Sequence, residues 1–251
     1  MSQITLITGG SRGLGRNTAL SIARRGVDVL FTYRSRANEA EALVAEIEGM
    51  GRKARAFQLD TSKIGTFPAF AESVKSALQE TWQRDSFDHL VNNAGHGTNA
   101  PIAEFTEEQF DALVNVHLKG VVFLTQALLP LIADGGRIVN ISSGLTRMVF
   151  PGYGIYAAAK GAVEVLTRYM AKEFGARGIA VNTVAPGAIE TDFGGGAVRD
   201  TPGLNQQIAN MTALGRVGVP DDIGPMIATL LSPDNRWINA QRIEVSGGQG
   251  L

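Results

Sequence analysis

The sequence predicts a doubly wound α/β fold, in which seven mostly parallel strands form a sheet with helices on both faces. Short apolar, β-branched runs alternate with longer amphipathic runs along the chain. A glycine-rich turn joins the first apolar run to the first amphipathic run. No interior linker or repeat interrupts this order, so we expect a single domain over residues 1–251. The expected strands are residues 4–8, 28–33, 54–59, 87–92, 136–142, 179–184 and 241–245, and the expected helices are 14–25, 37–49, 67–82, 107–132, 154–175 and 221–231.

The composition is that of an ordinary globular enzyme. The 251 residues are 44% hydrophobic and carry a net charge of −1, so nothing indicates nucleic acid or an anionic membrane as a partner. The absence of cysteine excludes disulfides and thiolate metal sites. We also expect no metal at His89, His96 or His117, because none has paired metal-ligand spacing. Structural roles are expected for His89 and His117, and a place at the pocket mouth for His96.

Two segments bear on location. The apolar stretch from Leu113 to Ile132 carries polar side chains, so we expect a buried or interface helix and not a membrane span. The chain enters a strand by Ile4 without a basic leader or a cleavage site. These features predict a cytoplasmic protein.

A glycine-rich turn links the first strand to the first helix. Gly9, Gly13 and Gly15 allow positive φ and let a ligand approach the backbone, and the helix N-terminus presents free N–H groups to a phosphate. The spacing G-x-x-x-G-x-G is neither the common dinucleotide fingerprint nor a P-loop. In this strand–turn–helix context it predicts a nucleotide site.

The end of the second strand indicates which nucleotide. An NAD site would carry a carboxylate there for the ribose 2′-hydroxyl. The strand instead ends in Tyr33, Arg34 and Ser35, and Arg12 lies in the glycine turn. Two arginines and no acid suit a 2′-phosphate, so NADP is favoured over NAD.

Ser143, Tyr156 and Lys160 form the candidate proton-transfer site. A gap of four residues puts Tyr156 and Lys160 on one helix face. A nearby cation favours the phenolate and lowers the pKa of a phenol from its usual value of about 10. The hydroxyl of Ser143 could hold a substrate carbonyl against the phenol. Such a group could protonate a forming alkoxide or deprotonate an alcohol.

Together these motifs resemble the short-chain dehydrogenase/reductase family over essentially the whole chain. Further matches in order are Asp60-Thr61, the turn Asn92-Asn93-Ala94-Gly95, Asn115, Pro186-Gly187, Ile189-Glu190-Thr191 and Val245-Ser246-Gly247-Gly248. The resemblance implies a Rossmann-type domain with NADP(H) held by Gly9, Ser11, Arg12, Gly13, Leu14, Gly15, Arg34, Ser35, Asp60, Thr61, Asn93, Ala94, Gly95, Tyr156, Lys160, Pro186, Gly187, Ile189 and Thr191.

The resemblance also implies the catalytic roles. The family's spacing of thirteen residues selects Ser143 over Ser142, and Tyr153 lacks a lysine four residues later. Asn115 would anchor a water relay, and Lys160 would hold the nicotinamide ribose. The implied reaction interconverts a ketone or aldehyde and the alcohol by hydride transfer, with Ser143, Tyr156 and Lys160 moving the proton.

Two alternatives stay open. The chain is similar in every motif to 3-oxoacyl-carrier-protein reductases, and Arg177 matches their docking arginine, but Asp134 stands where they carry a basic cluster. A non-catalytic NADP-binding regulator is disfavoured, because all four catalytic groups are present. The sequence names neither the substrate nor the direction. The candidate pocket residues, mostly apolar, are Leu145, Met148, Val149, Tyr153, Phe193 and Val198.

Residues 188–219 break the alternation of strands and helices. They follow a strand end and contain three consecutive glycines, Gly194 to Gly196. We expect a mobile lid over the substrate, with a short helix near 204–213.

We expect a homo-oligomer, and a homotetramer in particular, although this leans on the family. The helices at 107–132 and 154–175 carry more apolar residues than one sheet-facing stripe needs, and a second apolar face favours a partner. The C-terminal Leu251 could pack across a neighbouring subunit. The apolar residues in question are Val121, Val122, Leu124, Leu128, Val165 and Tyr169.

Overall fold

A computed structural model describes residues 2–251 and contains one seven-stranded sheet in the order β3-β2-β1-β4-β5-β6-β7. All six neighbouring pairs are parallel. The strand order reverses between β1 and β4, where folds of this kind place a ligand at the carboxyl ends. The predicted fold class is confirmed. The strands are β1 (Ile4–Ile7), β2 (Asp28–Tyr33), β3 (Ala54–Gln58), β4 (Phe87–Asn92), β5 (Ile132–Ile141), β6 (Ala180–Pro186) and β7 (Arg242–Val245).

The sheet is buried on both faces, which explains why its strands read as continuous apolar runs. One layer of helices is α1, α2 and α9, whose Leu20, Leu43 and Ile227 join one core cluster. The other layer is α3, α5 and α6. The helices are α1 (Gly13–Arg24), α2 (Ala37–Gly49), α3 (Phe67–Trp82), α4 (Glu107–Val114), α5 (Gly120–Leu128), α6 (Gly154–Glu173), α7 (Ala197–Asp200), α8 (Pro202–Asn210) and α9 (Gly224–Leu230).

The helix predicted over 107–132 is interrupted. A π-helical turn, Asn115–Lys119, separates α4 from α5, and the N–H of Gly120 bonds to the carbonyl of Asn115. A Cβ at Gly120 would lie 2.4 Å from the Thr61 carbonyl oxygen, so the helix passes the end of β3 where only glycine fits. The π-turn changes which side chains face the sheet, which the sequence did not predict.

The second apolar face is smaller than predicted. Leu124 and Leu128 belong to the core, and Val121 is also buried. Val165 and Tyr169 on α6 are exposed, as are Phe110 on α4 and Phe123 on α5. The stretch Glu107–Leu131 is long and apolar enough to cross a membrane by length and composition, a test that core helices of soluble proteins also pass.

A chain of buried polar side chains ties the middle of the sheet to α5 and α6. Asn92 on β4 donates to Thr125 on α5 at 3.0 Å and to Asn140 on β5 at 2.8 Å. Asn140 donates to Thr167 on α6 at 2.9 Å, and Thr183 on β6 donates to the same hydroxyl at 2.7 Å. Because every member is paired, the chain fixes the helices that carry the site relative to the strand ends.

Asn140→Ala should lower the free energy of unfolding by about 3 kcal/mol, because it leaves Asn92 and Thr167 with unmet hydrogen bonds in the core. Urea unfolding monitored by circular dichroism measures the change. Asn210→Ala is the matched control, since Asn210 is exposed, and it should change the value by less than about 0.5 kcal/mol. Equal effects of the two substitutions would show that the polar chain is not structurally important.

Candidate active site

The catalytic side chains converge from β5 and α6. Ser143 directly follows Ser142 at the end of β5, and its Oγ accepts a hydrogen bond from the N–H of Leu145 at 3.2 Å. Tyr156 and Lys160 lie one turn apart in the first half of α6, and both are buried. Ser142 points the other way and donates to Glu164 at 2.7 Å. The structure therefore brings together Ser143, Tyr156 and Lys160, as the spacing predicts.

Lys160 is an almost fully buried amine. Its Nζ donates to the carbonyl of Ile141 at 2.6 Å and lies 5.8 Å from the centre of the Tyr156 ring. Burial lowers the pKa of Lys160 to about 7. The amine can therefore take up and release a proton near neutral pH.

The environment of Tyr156 corrects one prediction. Burial raises the pKa of Tyr156 above its usual value, while a hydrogen bond from Ser143 acts in the opposite direction. The expectation that Lys160 lowers the pKa of this phenol is not met in the arrangement seen here, because burial of the phenol is the largest influence on its pKa and raises it. Tyr156 is protonated at neutral pH and suited to act as an acid.

An ionic network holds the loop that carries Ser143. Glu164 on α6 accepts from Thr146 at 2.8 Å and from Arg242 on β7 at 2.8 Å. Glu244 pairs with Arg147 and Arg242, and the hydrogen bond from Arg147 contributes most to lowering the pKa of Glu244 to about 2. The Glu244 carboxylate therefore stays charged at neutral pH, and its two arginine partners fix the loop to the last strand.

His117, and not Asn115, is the π-turn residue that contacts the catalytic tyrosine. The rings of His117 and Tyr156 are 5.1 Å apart, edge to face. Residues two apart on a helix do not share a face, and no hydrogen bond of the Asn115 side chain exists within residues 2–251. The relay role of Asn115 stays a prediction without a contact to support it. The spacing Tyr-x-x-x-Lys gave no signal for His117, because the π-turn sets its direction.

The glycine turn forms a cradle of the kind a pyrophosphate needs. Gly9 and Gly13 have φ values of 64° and 54°, and a Cβ at Gly15 would lie 2.2 Å from the Gly9 carbonyl oxygen. Helix α1 starts here with no capping side chain and no acidic residue in its first turn. Its free N–H groups suit a phosphate. Ser11 is buried in this turn, and Leu14 packs on the core.

The turn Asn93-Ala94-Gly95 is fastened to the glycine turn. Thr8 Oγ1 accepts from the N–H groups of Asn93 and Ala94, both at 2.9 Å. The Asn93 amide donates to the carbonyls of Thr8 and Gly9 at 2.8 and 3.1 Å. The glycine turn and the Asn93-Ala94-Gly95 turn, both predicted to bind the cofactor, are therefore held together by hydrogen bonds at one edge of the sheet.

Of the two arginines expected at the 2′-phosphate, Arg34 follows β2 and Arg12 lies in the glycine turn before α1. Arg34 has 76% of its side chain exposed and its Nε is 3.5 Å from Asp60, at the end of β3. Ser35 is also exposed, and Thr61 follows Asp60. Arg12 is 3.9 Å from Asp192, which also pairs with Arg199. These cations fit an anionic group at this edge, which supports their assignment.

The end of β6 returns to the glycine turn. The N–H of Gly187, which follows Pro186, bonds to the Val245 carbonyl at 3.0 Å, and Ile189 bridges Gly218. Thr191 lies beside Gly13 and faces a cleft of about 370 Å³. Thr191 therefore lines this cleft, and Pro186, Gly187 and Ile189 lead the chain to it from the end of β6.

The predicted pocket residues divide into two groups. Phe193 covers Tyr156, with the ring centres 5.7 Å apart, and Tyr153 precedes α6. Met148 packs against Gly144 and Gly250, next to Leu145. Val149 is 91% exposed, and Val198 packs inside the lid with Ile208 and Val217. The structure does not place these last two valines in the pocket.

Comparisons with known proteins agree with this site. A family model described as enoyl-(acyl carrier protein) reductase matches residues 9–249. The hydroxynaphthalene reductase-like protein Arp2 of Metarhizium brunneum is 35% identical, over 98% of this chain and 94% of its own.

Two solved reductases have the same fold. LugOII, described as a promiscuous reductase that catalyses keto-reduction at C1 in lugdunomycin biosynthesis, has a TM-score of 0.93 and 37% identity, over 99% of this chain and 98% of its own. The landomycin C-6 ketoreductase LanV, solved with NADP and rabelomycin, has a TM-score of 0.89 and 34% identity, over 99% and 96%.

The chain belongs to the short-chain dehydrogenase/reductase family. It is an NADP(H)-dependent oxidoreductase that acts on the ketone and alcohol pair.

Tyr156→Phe should reduce kcat by at least a thousandfold, because the phenol is the proton donor and general acid catalysis contributes about 10²–10⁴-fold. NADPH affinity, measured by fluorescence titration, should stay within about twofold, since the ring remains. Tyr153→Phe is the matched control and should keep most of the activity. A Tyr156→Phe enzyme retaining a tenth of kcat would assign the proton to another group.

Lys160→Met should abolish turnover and yet stabilise the cofactor-free protein at pH 7 by roughly 2 kcal/mol. The pKa of Lys160 is about 7 in the fold and about 10.4 in an unfolded chain. Between those values the unfolded chain binds more protons, so the free energy of unfolding rises with pH.

Urea unfolding of the wild type from pH 6.5 to 9.5 should therefore show this rise, and Lys160→Met should show a flatter profile. Lys75→Met, at an exposed position of α3, is the control and should follow the wild type. Parallel profiles for all three proteins would mean that burial does not perturb Lys160.

Arg34→Asp should raise the KM for NADPH at least tenfold and change the KM for NADH by less than about threefold, because it replaces a charge-assisted contact to phosphate by repulsion. Arg36→Asp makes the same charge change two residues away, where Glu39 already engages the arginine, and is the control. Equal effects of both substitutions on the KM for NADPH would contradict the assignment of Arg34 to the 2′-phosphate site.

Proposed function

We propose that this enzyme reduces a ketone carried on a fused, hydroxylated aromatic ring system. The observation that carries the proposal is the aromatic cover of the catalytic phenol: the Phe193 ring, from the lid, lies 5.7 Å from the Tyr156 ring at an angle of 58°, and Tyr153 directly precedes the same helix. Flat aromatic ligands suit such walls. The similar protein Arp2 is named as a hydroxynaphthalene reductase-like protein. The similar solved structures are described as a keto-reductase of lugdunomycin biosynthesis and a landomycin C-6 ketoreductase with bound rabelomycin.

The geometry supports a simple division of labour. The substrate carbonyl oxygen would lie between the hydroxyls of Ser143 and Tyr156, and the alkoxide that forms would take the phenol proton. The phenolate left behind lies near Lys160, whose amine returns the proton because its pKa is near neutrality. NADP(H) supplies the hydride when bound. Gly13 and Thr191 line the cleft that would hold it, and the turns of Gly9 and Asn93 are bonded to each other beside it.

A 3-oxoacyl-carrier-protein reductase is the second candidate, and the structure offers it less support. Arg177 pairs with Asp134 at 2.7 Å and donates to the Leu129 carbonyl at 2.9 Å. An arginine that is already bonded to groups of its own chain is less available to bind an acidic carrier protein.

A substrate panel separates the two candidates. We expect a bicyclic hydroxynaphthalenone or a tricyclic quinone-ketone to be reduced with a kcat/KM at least tenfold above that of a 3-oxoacyl thioester. Phe193→Ala should lower kcat/KM for the aromatic ketone about tenfold, whereas Val149→Ala, at an exposed position, should not. Preference for the thioester, or equal effects of both substitutions, would contradict the proposal.

We also propose a homotetramer built partly on the exposed apolar residues of α4, α5 and α6. Phe110, Phe123, Val165 and Tyr169 support it, since α6 also carries Tyr156. Val165→Glu should dissociate the assembly and lower kcat. Light scattering after size exclusion is the test, and a fully active wild-type species at the chain mass of 26.6 kDa would refute the assembly.

Three further expectations stay predictions. Residues 188–219 would act as a lid, because Gly194, Gly195 and Gly196 all have positive φ and can rearrange without a side-chain penalty. The protein would be cytoplasmic and free of membranes, with no nucleic acid bound. Fractionation of the producing cells with a carbonate wash tests the location.

A further inference from the structure

The imidazole of His117 lies between the catalytic Tyr156 and the turn that contains Gly95 and His96. It is 1% exposed, and it meets the Tyr156 ring edge to face at 5.1 Å and an interplanar angle of 86°. Phe193 covers the same tyrosine from the lid at 5.7 Å. Removing the imidazole would therefore leave a space beside the phenol that water can fill.

One nitrogen of His117 is anchored and the other is bare. Nε2 lies 2.6 Å from the carbonyl oxygen of His96 and 3.3 Å from its backbone N–H, and the shorter contact, to a carbonyl that only accepts, favours the tautomer with the hydrogen on Nε2. Nδ1 is buried and has no partner among residues 2–251. A Cβ at Gly95 would lie 2.7 Å from Cε1 and 3.3 Å from Nδ1, so the glycine of the Asn93-Ala94-Gly95 turn leaves the room that the ring occupies.

The charges around His117 keep it neutral. Burial first, and then the amine of Lys160, hold the pKa of His117 well below 6.5. The other titratable groups that face it are Tyr156 from α6 and His96 from the loop after β4. No carboxylate contributes to the pKa of His117. The positive charge of a doubly protonated ring would therefore have no negative partner.

We propose that His117 is a positioning residue for Tyr156: its buried ring packs edge-to-face on the phenol, holds the phenol in place and keeps water away from it. It transfers no proton itself. The inference rests on the proposed role of Tyr156 as the acid. It gives the π-turn a function, since the turn directs residue 117 into the site.

The consequence for chemistry follows from solvation. Loss of solvent raises the pKa of Tyr156, and Ser143 and Tyr153 are the other groups that affect its titration. If the ring at position 117 is lost, water enters, the pKa of the phenol falls and the phenol becomes less well placed. A ring that lacks nitrogen preserves both the exclusion of water and the contact.

Two substitutions separate the ring from its nitrogens. His117→Phe keeps an aromatic ring and loses the hydrogen bond, whereas His117→Gln keeps an amide donor at the place of Nε2 and loses the ring. We expect kcat for ketone reduction within about threefold of wild type for His117→Phe, and a loss of about tenfold or more for His117→Gln. The dissociation constant of NADPH should stay unchanged in both. His117→Asn replaces the glutamine variant if that protein does not fold.

The pH profile provides a readout that a merely structural role would not move. For His117→Gln the basic limb of kcat/KM should shift to lower pH by about one unit, while His117→Phe keeps the wild-type limb. ¹⁵N NMR of histidine-labelled protein should show one protonated and one bare nitrogen on His117 from pH 6 to 8, whether or not a ketone is reduced.

Four outcomes would overturn the inference. They are wild-type kinetics in both variants, a His117→Phe enzyme as inactive as Tyr156→Phe, equal losses in the two variants, and an NMR signal from a doubly protonated ring at pH 6. A wild-type enzyme that reduces no ketone on the panel would instead contradict the proposed function. The NMR signal would still determine the protonation state of the His117 ring in that case.

Discussion

The burial of Lys160 against the Ile141 carbonyl is the constraint on which the rest of the site depends. An amine without solvent loses much of its preference for the charged form, and burial brings the pKa of Lys160 to about 7. The same lack of solvent keeps the Tyr156 phenol protonated. One physical cause therefore prepares both groups: an acid that holds its proton until an alkoxide forms, and an amine that exchanges protons near neutral pH.

The surrounding fold keeps this dry site in place. The polar chain from Thr125 through Asn140 to Thr167 fixes α5 and α6 on the sheet. The network of Glu164, Arg242 and Glu244 fixes the serine loop to β7. Such partly buried ion pairs add little net stability and do fix geometry. The enzyme thus uses its polar interior for precision at the site, while the apolar layers on both faces of the sheet supply the stability.

Much of this could be predicted from the sequence. The parallel strands are continuous apolar runs, so their order and most of their bounds follow from pattern, and the Tyr156–Lys160 spacing follows from helix geometry. The π-turn could not be predicted, because it arises where Gly120 passes the Thr61 carbonyl, a contact between distant segments. The family resemblance points to Asn115, whereas only the π-turn, which no sequence pattern marks, brings His117 to Tyr156. Val198 was misjudged for a similar reason, since the lid has a small core of its own.

Burial, and not a neighbouring cation, keeps the catalytic phenol protonated. Ultraviolet titration of tyrosinate in the cofactor-free enzyme tests it directly, because the chain has only four tyrosines. Comparison with a protein lacking the Tyr156 hydroxyl assigns its signal. The account predicts that Tyr156 ionises last, above the usual tyrosine pKa of about 10. Ionisation of Tyr156 before the other three would contradict it.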